Sequence, residues 1–464
     1  MDSSGRGLKA RACSPRIGGV KRLITRRLLL LSAWHPPEFP DGCSSSSVES
    51  LCDAPHASVM NLSTSEVSSP EKRLLVCCAR RELRPAMVDE IRSLVRGPID
   101  WELLLREAAE HSVAPLLSRH LSVFAADLID PAQLEQLSQL ARAHAMRSLV
   151  FTAELVSIMG RFDAAGIEAI PYKGPVLAVQ AFGDVALREF EDLDIVLRQR
   201  DVPIANEVMA SLGYRAKFPA LAAVDGASVV PAEYMYLDEP RRMMVELHTE
   251  RTLRHFPVAP NLDDLTSRLV AISVAGHDLF TFGPEDTFIL LCIHGSKHFW
   301  ERLSWIADIA AFIDAHPDLD WAQILRRAEL WRANRIVTIS LALALRFFGS
   351  PLPADVSVRV RSDSSANAIA RRIEQSFSSR QRREPGAFAR FRLRRQMLEG
   401  FAEGWSYSVR LATLPSDDDW FAMRLPSFLA PLYPVLRPLR LLGKYGVTGA
   451  VSPHESFASK KASN

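Results

Sequence analysis

Long apolar runs are missing. No stretch of the 464 residues approaches the roughly 18–20 consecutive apolar side chains that span a bilayer, so the sequence predicts no transmembrane segment. Charge of one sign is missing too: 56 Lys and Arg stand against 54 Asp and Glu, a net charge of +2. That balance gives no overall reason to expect a nucleic-acid partner and leaves room only for a local basic patch. Cysteine is scarce, with six in the whole chain, too few for a disulfide scaffold. Cys13, Cys43, Cys52, Cys77 and Cys78 crowd the beginning and only Cys292 follows, which fits a reducing, cytoplasmic compartment. Glycine follows no repeat, and 48% hydrophobic residues supply ample apolar material to bury, so a collagen-like or wholly disordered chain is excluded. At roughly 100–200 residues per domain the length allows two to four folding units.

Residues 1–59 differ from the rest. They combine a basic start (Lys9, Arg11, Arg16, Lys21, Arg22, Arg26, Arg27), a bend at Pro36 and Pro37 and a serine run at 44–47, with no helical or strand period long enough to build a core. Basic residues precede the apolar residues 28–31 as in a secretory signal. That stretch is short, it starts late, and no small-residue cleavage site follows it. The expectation for 1–59 is a disordered tail, or translated sequence ahead of a start at Met60.

The remainder divides by period. Region 60–165 reads as helical: Asp100 is placed to cap the helix that opens at Trp101, and Asp130, Pro131 and Gln133 combine a cap, a first-turn proline and a capping-box partner. Leu134, Leu137, Leu140 and Ala141 mark its apolar face. Region 166–256 reads as a compact unit of strands and helices. Its expected parts are a strand over 167–172, a turn at Lys173 and Gly174, a helix over 175–182, a strand over 193–197, a helix over 201–212 capped by Asp201 and stopped by Gly213, and a hairpin of 233–238 with Met243–His248. Region 257–350 reads as a helical domain whose longest helix covers 285–315. Region 351–464 reads as helices and loops with an arginine cluster (Arg371, Arg372, Arg380, Arg382, Arg383, Arg390, Arg392, Arg394, Arg395).

The chemistry concentrates between Tyr172 and Leu197. On a strand, residues two apart share a face, so Asp192 and Asp194 present their carboxylates side by side. Two such carboxylates repel one another unless a cation lies between them, and hard oxygen donors suit Mg²⁺. Upstream, the turn at Lys173 and Gly174 opens a helix whose first N–H groups can receive phosphate, with Lys173 adding positive charge. A phosphate cradle followed by a D-x-D pair is what metal-assisted phosphoryl or nucleotidyl transfer needs. The hairpin offers a third acid, Glu246, on the same strand face as His248.

These residues, followed by Gly213 and Tyr214, by Glu246, Leu247 and His248, and by His294, His298, Arg302, Trp305 and Asp308, resemble the uncharacterised bacterial nucleotidyltransferase family of the DNA polymerase β superfamily over about residues 73–445. The resemblance implies an α+β fold, a nucleotidyltransferase-like mixed β-sheet domain with helical domains before and after it. It implies an Mg²⁺-dependent enzyme with two metal ions that moves a nucleoside monophosphate from an NTP to an acceptor hydroxyl. Carried over by position, Asp192 and Asp194 bind the metals, and Glu246 is the third acid, positioning or deprotonating the acceptor. The superfamily opens its phosphate-binding helix with Gly-Ser. Lys173 and Gly174 stand there in this chain, which leaves backbone amides, Lys173 and Arg188 to hold phosphate. Glu250, four residues past Glu246, competes for the third-acid role.

Other readings are weaker. His294 and His298 lie four apart as in a zinc helix, but Gly295 stands where a metalloprotease needs its glutamate. On one continuous helix His294, His298, Arg302, Trp305 and Asp308 form a polar stripe that reads as a substrate face toward the α/β cleft. The arginine cluster, diluted by Glu374, Glu384 and Glu399, reads as a solvated helical surface before an RNA or lipid site. In 425–442, prolines 431, 434 and 438 are expected to prevent a continuous amphipathic helix. Residues 417–419, all aspartate, read as a cap and first helical turn. The competing functions are a non-catalytic relative that binds nucleotide or a partner protein through the same cleft, and a metal-dependent phosphohydrolase.

Overall fold

A computed structural model describes residues 69–217, 234–250, 261–379 and 386–400, with further positions between 404 and 446. The expectations for 1–59, for Cys13, Cys43 and Cys52, for Arg380, Arg382 and Arg383, and for 417–419 lie outside the described residues.

The described chain opens with five helices: α1 (Pro70–Cys78), α2 (Pro85–Arg96), α3 (Trp101–Glu110), α4 (Ala114–Phe124) and α5 (Pro131–Ala164). Side-chain caps start three of them, with Ser69 accepting from Lys72 N at 3.3 Å, Asp100 from Leu103 N at 3.0 Å and Asp130 from Ala132 N at 2.8 Å. The capping box at α5 does not close, since Gln133 Oε1 has no partner. Leu137 is buried on α5, whereas Leu140, expected on the same face, is 44% exposed.

Next come β1 (Ile170–Pro171), α6 (Gly174–Leu177, continued by a π-turn over Ala178–Phe182), β2 (Asp192–Val196), α7 (Val202–Ser211), β3 (Arg215–Ala216), β4 (Tyr234–Asp238) and β5 (Met243–His248). The five strands form one mixed sheet in the order β1-β2-β5-β4-β3. Strands β2 and β5 run parallel, and the other pairs are antiparallel. Gly213, at φ +90°, ends the α7 segment as expected, but Asp201 makes no side-chain cap; a 3₁₀ turn over Gln199–Asp201 leads into the helix instead.

Strand alternation sorts the sheet into two faces. Leu193, Ile195, Val245 and Leu247 pack into a core with Phe151, Leu155, Ile158 and Phe162 from the second half of α5 and with Met209 of α7. The intervening residues, Asp192, Asp194, Glu246 and His248, therefore point to the opposite face.

Beyond the sheet lie α8 (Leu262–Thr266), β6 (Val270–Val274), β7 (His277–Thr281), α9 (Pro284–Lys297), α10 (Leu303–Ala315), α11 (Trp321–Leu330), α12 (Asn334–Phe348), α13 (Ala354–Ser362), α14 (Ser364–Ser378), α15 (Ala387–Gln396) and α16 (Tyr433–Gly446). The β6–β7 hairpin corrects the all-helical reading of this region. Its turn residues Ala275 and Gly276 both take positive φ, +53° and +80°, and Thr281 Oγ1 donates to Pro171 O at 2.7 Å, tying the hairpin to β1. Asp286 of α9 is fully buried and clamped by Arg268 at 2.9 Å and Arg327 at 2.8 Å.

The single helix expected over 285–315 is two. Helix α9 ends at Lys297, and Phe299 and Trp300 take φ of +55° and +48°. Trp300 N donates to Gly295 O at 2.9 Å, and the indole folds over Gly295, where a Cβ would lie 2.3 Å from Nε1. Two members of the arginine cluster dock on this break: Arg390 pairs with Glu301 at 3.2 Å, and Arg394 lies over the Phe299 ring. The proline-rich tail departs from expectation only in part, since its helix begins at Tyr433 and covers less than the whole of 425–442. Helix α16 forms with Pro438 inside it and Pro434 in its first turn, where a missing N–H costs no helical bond.

Candidate active site

Strands β2 and β5 set the acidic residues in register, with Asp194 directly opposite Glu246 and Val196 opposite His248. Asp192 lies one pleat back on the same face. The loop from β1 into α6 brings Lys173 over this face, and its Nζ donates to Asp194 Oδ1 at 2.7 Å. His248 Nε2 meets the same oxygen at 2.8 Å and stands 3.8 Å from Glu246 Oε2. Gly174, at φ +54°, lets the chain turn here against the Asp192 carbonyl, which a Cβ would approach to 3.4 Å.

Of these groups, Lys173, Asp192, Glu246 and His248 line a cavity of about 240 Å³, and Asp194 is buried. Asp192, Glu246, His248 and Lys173 form one wall, and His294, Lys297 and His298 at the end of α9 form another. Tyr172 sits between them, its ring edge-on to His248 with centroids 5.7 Å apart and its face 5.0 Å from Lys173 Nζ.

The electrostatics are polarised. Burial and the neighbouring Asp194 carboxylate push Asp192 up to about 6. Burial would raise Asp194 as well, but the Lys173 ammonium and the His248 hydrogen bond outweigh it and hold Asp194 below the usual carboxylate range. Burial works against the Lys173 charge in turn; Asp194, Tyr172 and Asp192 overcome it and lift its pKa. Burial, then Lys173 and His298, push His294 well below the ordinary imidazole value, so it is neutral at pH 7.

Several sequence expectations change here. Arg188, expected at the phosphate, instead makes a two-pronged pair with Asp308, Nε to Oδ1 and Nη2 to Oδ2 both at 2.9 Å, and both side chains are buried. Because α9 and α10 are separate helices, the polar stripe is not one helical face. His294, His298 and Trp305 remain clustered, with His298 stacked on Trp305 at 4.7 Å between centroids. Arg302 lies over Trp305 and reaches Ser112 Oγ at 3.4 Å, so neither it nor Asp308 lines the cavity. Glu250 accepts from Gln199 N at 2.9 Å, at the turn after β2 and away from the cavity. Tyr172 and Lys297 line the cavity without having been singled out, although Tyr172 adjoins Lys173 and Lys297 follows His294 by three positions on one helical face.

Among the described residues, Asp194, Glu246 and His248 form a group whose ligand atoms lie within 4.8 Å of one another. A buried carboxylate, a half-buried one and a buried imidazole at this spacing fit a divalent cation, and the oxygen donors suit Mg²⁺ or Mn²⁺. Asp192 stands beside this group in the cavity wall and belongs to it only through its shared strand face.

No helix among the described residues is long and apolar enough to cross a membrane. No protein of curated function matches the chain. A solved structure, that of an antigenic nucleotidyltransferase-like protein from Paracoccidioides brasiliensis, is similar over 47% of this chain and 92% of its own, with 14% identity and a TM-score of 0.30. The family model of an uncharacterised nucleotidyltransferase matches residues 97–349, more than half of the chain, and that span takes in the whole sheet and every residue lining the cavity. The chain belongs to this uncharacterised nucleotidyltransferase family.

Proposed function

We propose that this protein moves a nucleoside monophosphate from an NTP to an acceptor hydroxyl and releases pyrophosphate. The observation that carries the reading is the in-register pair Asp194 and Glu246, with Asp192 one pleat away, beside a cavity that Asp192 and Glu246 line together with Lys297, His294 and His298. Asp192, Asp194 and Glu246 would hold Mg²⁺, with His248 braced against two of them. Bound there, Mg²⁺ supplies Lewis-acid stabilisation of the phosphate charge and lowers the pKa of the acceptor hydroxyl.

The chain's own groups do the rest. Lys173 and the backbone at Gly174 receive the triphosphate and orient it along the acidic wall. A Glu246 carboxylate oxygen positions the acceptor hydroxyl and takes its proton as the acceptor oxygen bonds to the α-phosphorus. The bond from that phosphorus to the pyrophosphate oxygen breaks, and the pyrophosphate leaves with the bonding pair. His294, Lys297 and His298 form the substrate face opposite. Arg188 serves this site indirectly, by anchoring the segment before β2 to α10 through Asp308. A cytoplasmic setting belongs to the same reading, supported by Cys77, Cys78 and Cys292, which are buried free thiols.

The test is incubation with each α-³²P-labelled NTP, Mg²⁺ and a cell lysate as the acceptor source. Label moves onto a product with the wild-type chain and not with Asp194→Asn. Tight NTP binding without any transfer contradicts the enzyme and favours a non-catalytic binder.

A further inference from the structure

Resting on that transfer reading, we propose that the site works with one divalent ion and that the Lys173 ammonium stands where a second ion would otherwise be carried. A two-ion site needs one carboxylate to reach both ions, which lie about 3.5–4 Å apart, with metal–oxygen distances near 2.1 Å. Asp194 holds the central position for that duty, opposite Glu246 and two residues from Asp192. One of its two oxygens, Oδ1, is already engaged twice, by Lys173 Nζ at 2.7 Å and by His248 Nε2 at 2.8 Å. Asp194 therefore has Oδ2 left to give, enough to reach one ion and not to bridge two.

The ammonium is fixed in place. Its side chain is 12% exposed, it starts α6 on a turn that only Gly174 permits, and it rests on the Tyr172 ring. Tyr172 N also donates to the backbone of Asp194 at 3.4 Å, which ties the lysine's neighbour to the acid it pairs with. Lys173 then contacts the phosphates with its remaining N–H donors and is a catalytic residue, steadying the leaving pyrophosphate with a charge that needs no ion to be recruited.

Counting bound Mn²⁺ by electron paramagnetic resonance, in the presence of the four α,β-methylene NTP analogues, tests this. Ions are counted as those lost in Asp194→Asn, which removes unrelated sites from the tally. The expected count is one per chain for the wild type and for Lys173→Arg, and two for Lys173→Met. Two ions in the wild type overturn the single-ion site and leave the transfer reading standing. One ion in both the wild type and a folded Lys173→Met overturns the assignment of Lys173 to the second position. No ion in the wild type overturns this proposal and the transfer reading together. The wild-type count decides the single-ion claim even if Lys173→Met does not fold.

Discussion

The imidazole of His248 bridges the two acids that face each other across β2 and β5, standing 2.8 Å from Asp194 and 3.8 Å from Glu246. It is buried, so its removal leaves those carboxylates with one fewer compensating group in a low-dielectric setting. His248→Ala is expected to weaken divalent-ion affinity by about 10–100-fold, the usual effect of losing a group that orients or supplies a metal ligand. Titration of Mn²⁺ checks this, and an unchanged affinity would show that His248 packs against the acids without serving them.

Arg188 and Asp308 make a second relationship of this kind, a buried pair linking the segment before β2 to α10. Truncating either partner strands the other charge away from water. Asp308→Ala and Arg188→Ala are each expected to cost about 3–5 kcal/mol, and the double variant less than their sum. Urea unfolding of the three variants measures it. Additive losses would contradict the pairing.

The break between α9 and α10 depends on Trp300 lying over Gly295. A Cβ there would sit 2.3 Å from the indole nitrogen, so Gly295→Ala must displace the ring or the helix end. The expected loss is about 1–3 kcal/mol, typical of overpacking, with a change in tryptophan fluorescence. Because His294, Lys297 and His298 leave the same helix end, NTP affinity is expected to fall as well. Thermal unfolding and nucleotide titration read the two effects separately.

Stability should depend on pH through Glu189. Burial pushes its carboxyl up from the ordinary value to about 7, against the hydrogen bond it accepts from Ala114 N at 3.2 Å. The folded state thus holds this proton more tightly than the unfolded chain. Its contribution is fully present below the unfolded value of about 4.5 and is lost as pH rises through about 7. Glu189→Gln removes the titration, so the variant gains on the wild type as pH increases from 5 to 8. Urea midpoints across that range check the sign, and a difference independent of pH would contradict it.

Much of the site was legible because it rests on local periods. The strand alternation that separates Leu193 and Ile195 from Asp192 and Asp194 is written in consecutive residues, as is the turn at Lys173 and Gly174. The caps at Asp100 and Asp130 are equally local. What escaped depends on distant partners. Arg188 meets Asp308 120 residues away, and nothing in either neighbourhood marks the pairing. The helix break at 298–302 contains neither proline nor glycine; it arises because Trp300 folds back onto Gly295, a packing event that helical spacing does not register. The β6–β7 hairpin turns on Ala275 and Gly276, without the Asn-Gly or Asp-Gly signal that marks such turns. Lys173 was read as a phosphate ligand; its contact with Asp194 needed the sheet to bring them together.

The central claim is that Asp192, Asp194 and Glu246 serve transfer of a nucleotidyl group. Its most direct measurement is ³¹P NMR of the protein incubated with each NTP, Mg²⁺ and a lysate extract. The account predicts pyrophosphate accumulating in step with a new phosphodiester or phosphoester signal in the wild type, and neither in Asp194→Asn. Orthophosphate released without pyrophosphate, or product formation that survives Asp194→Asn, would contradict it.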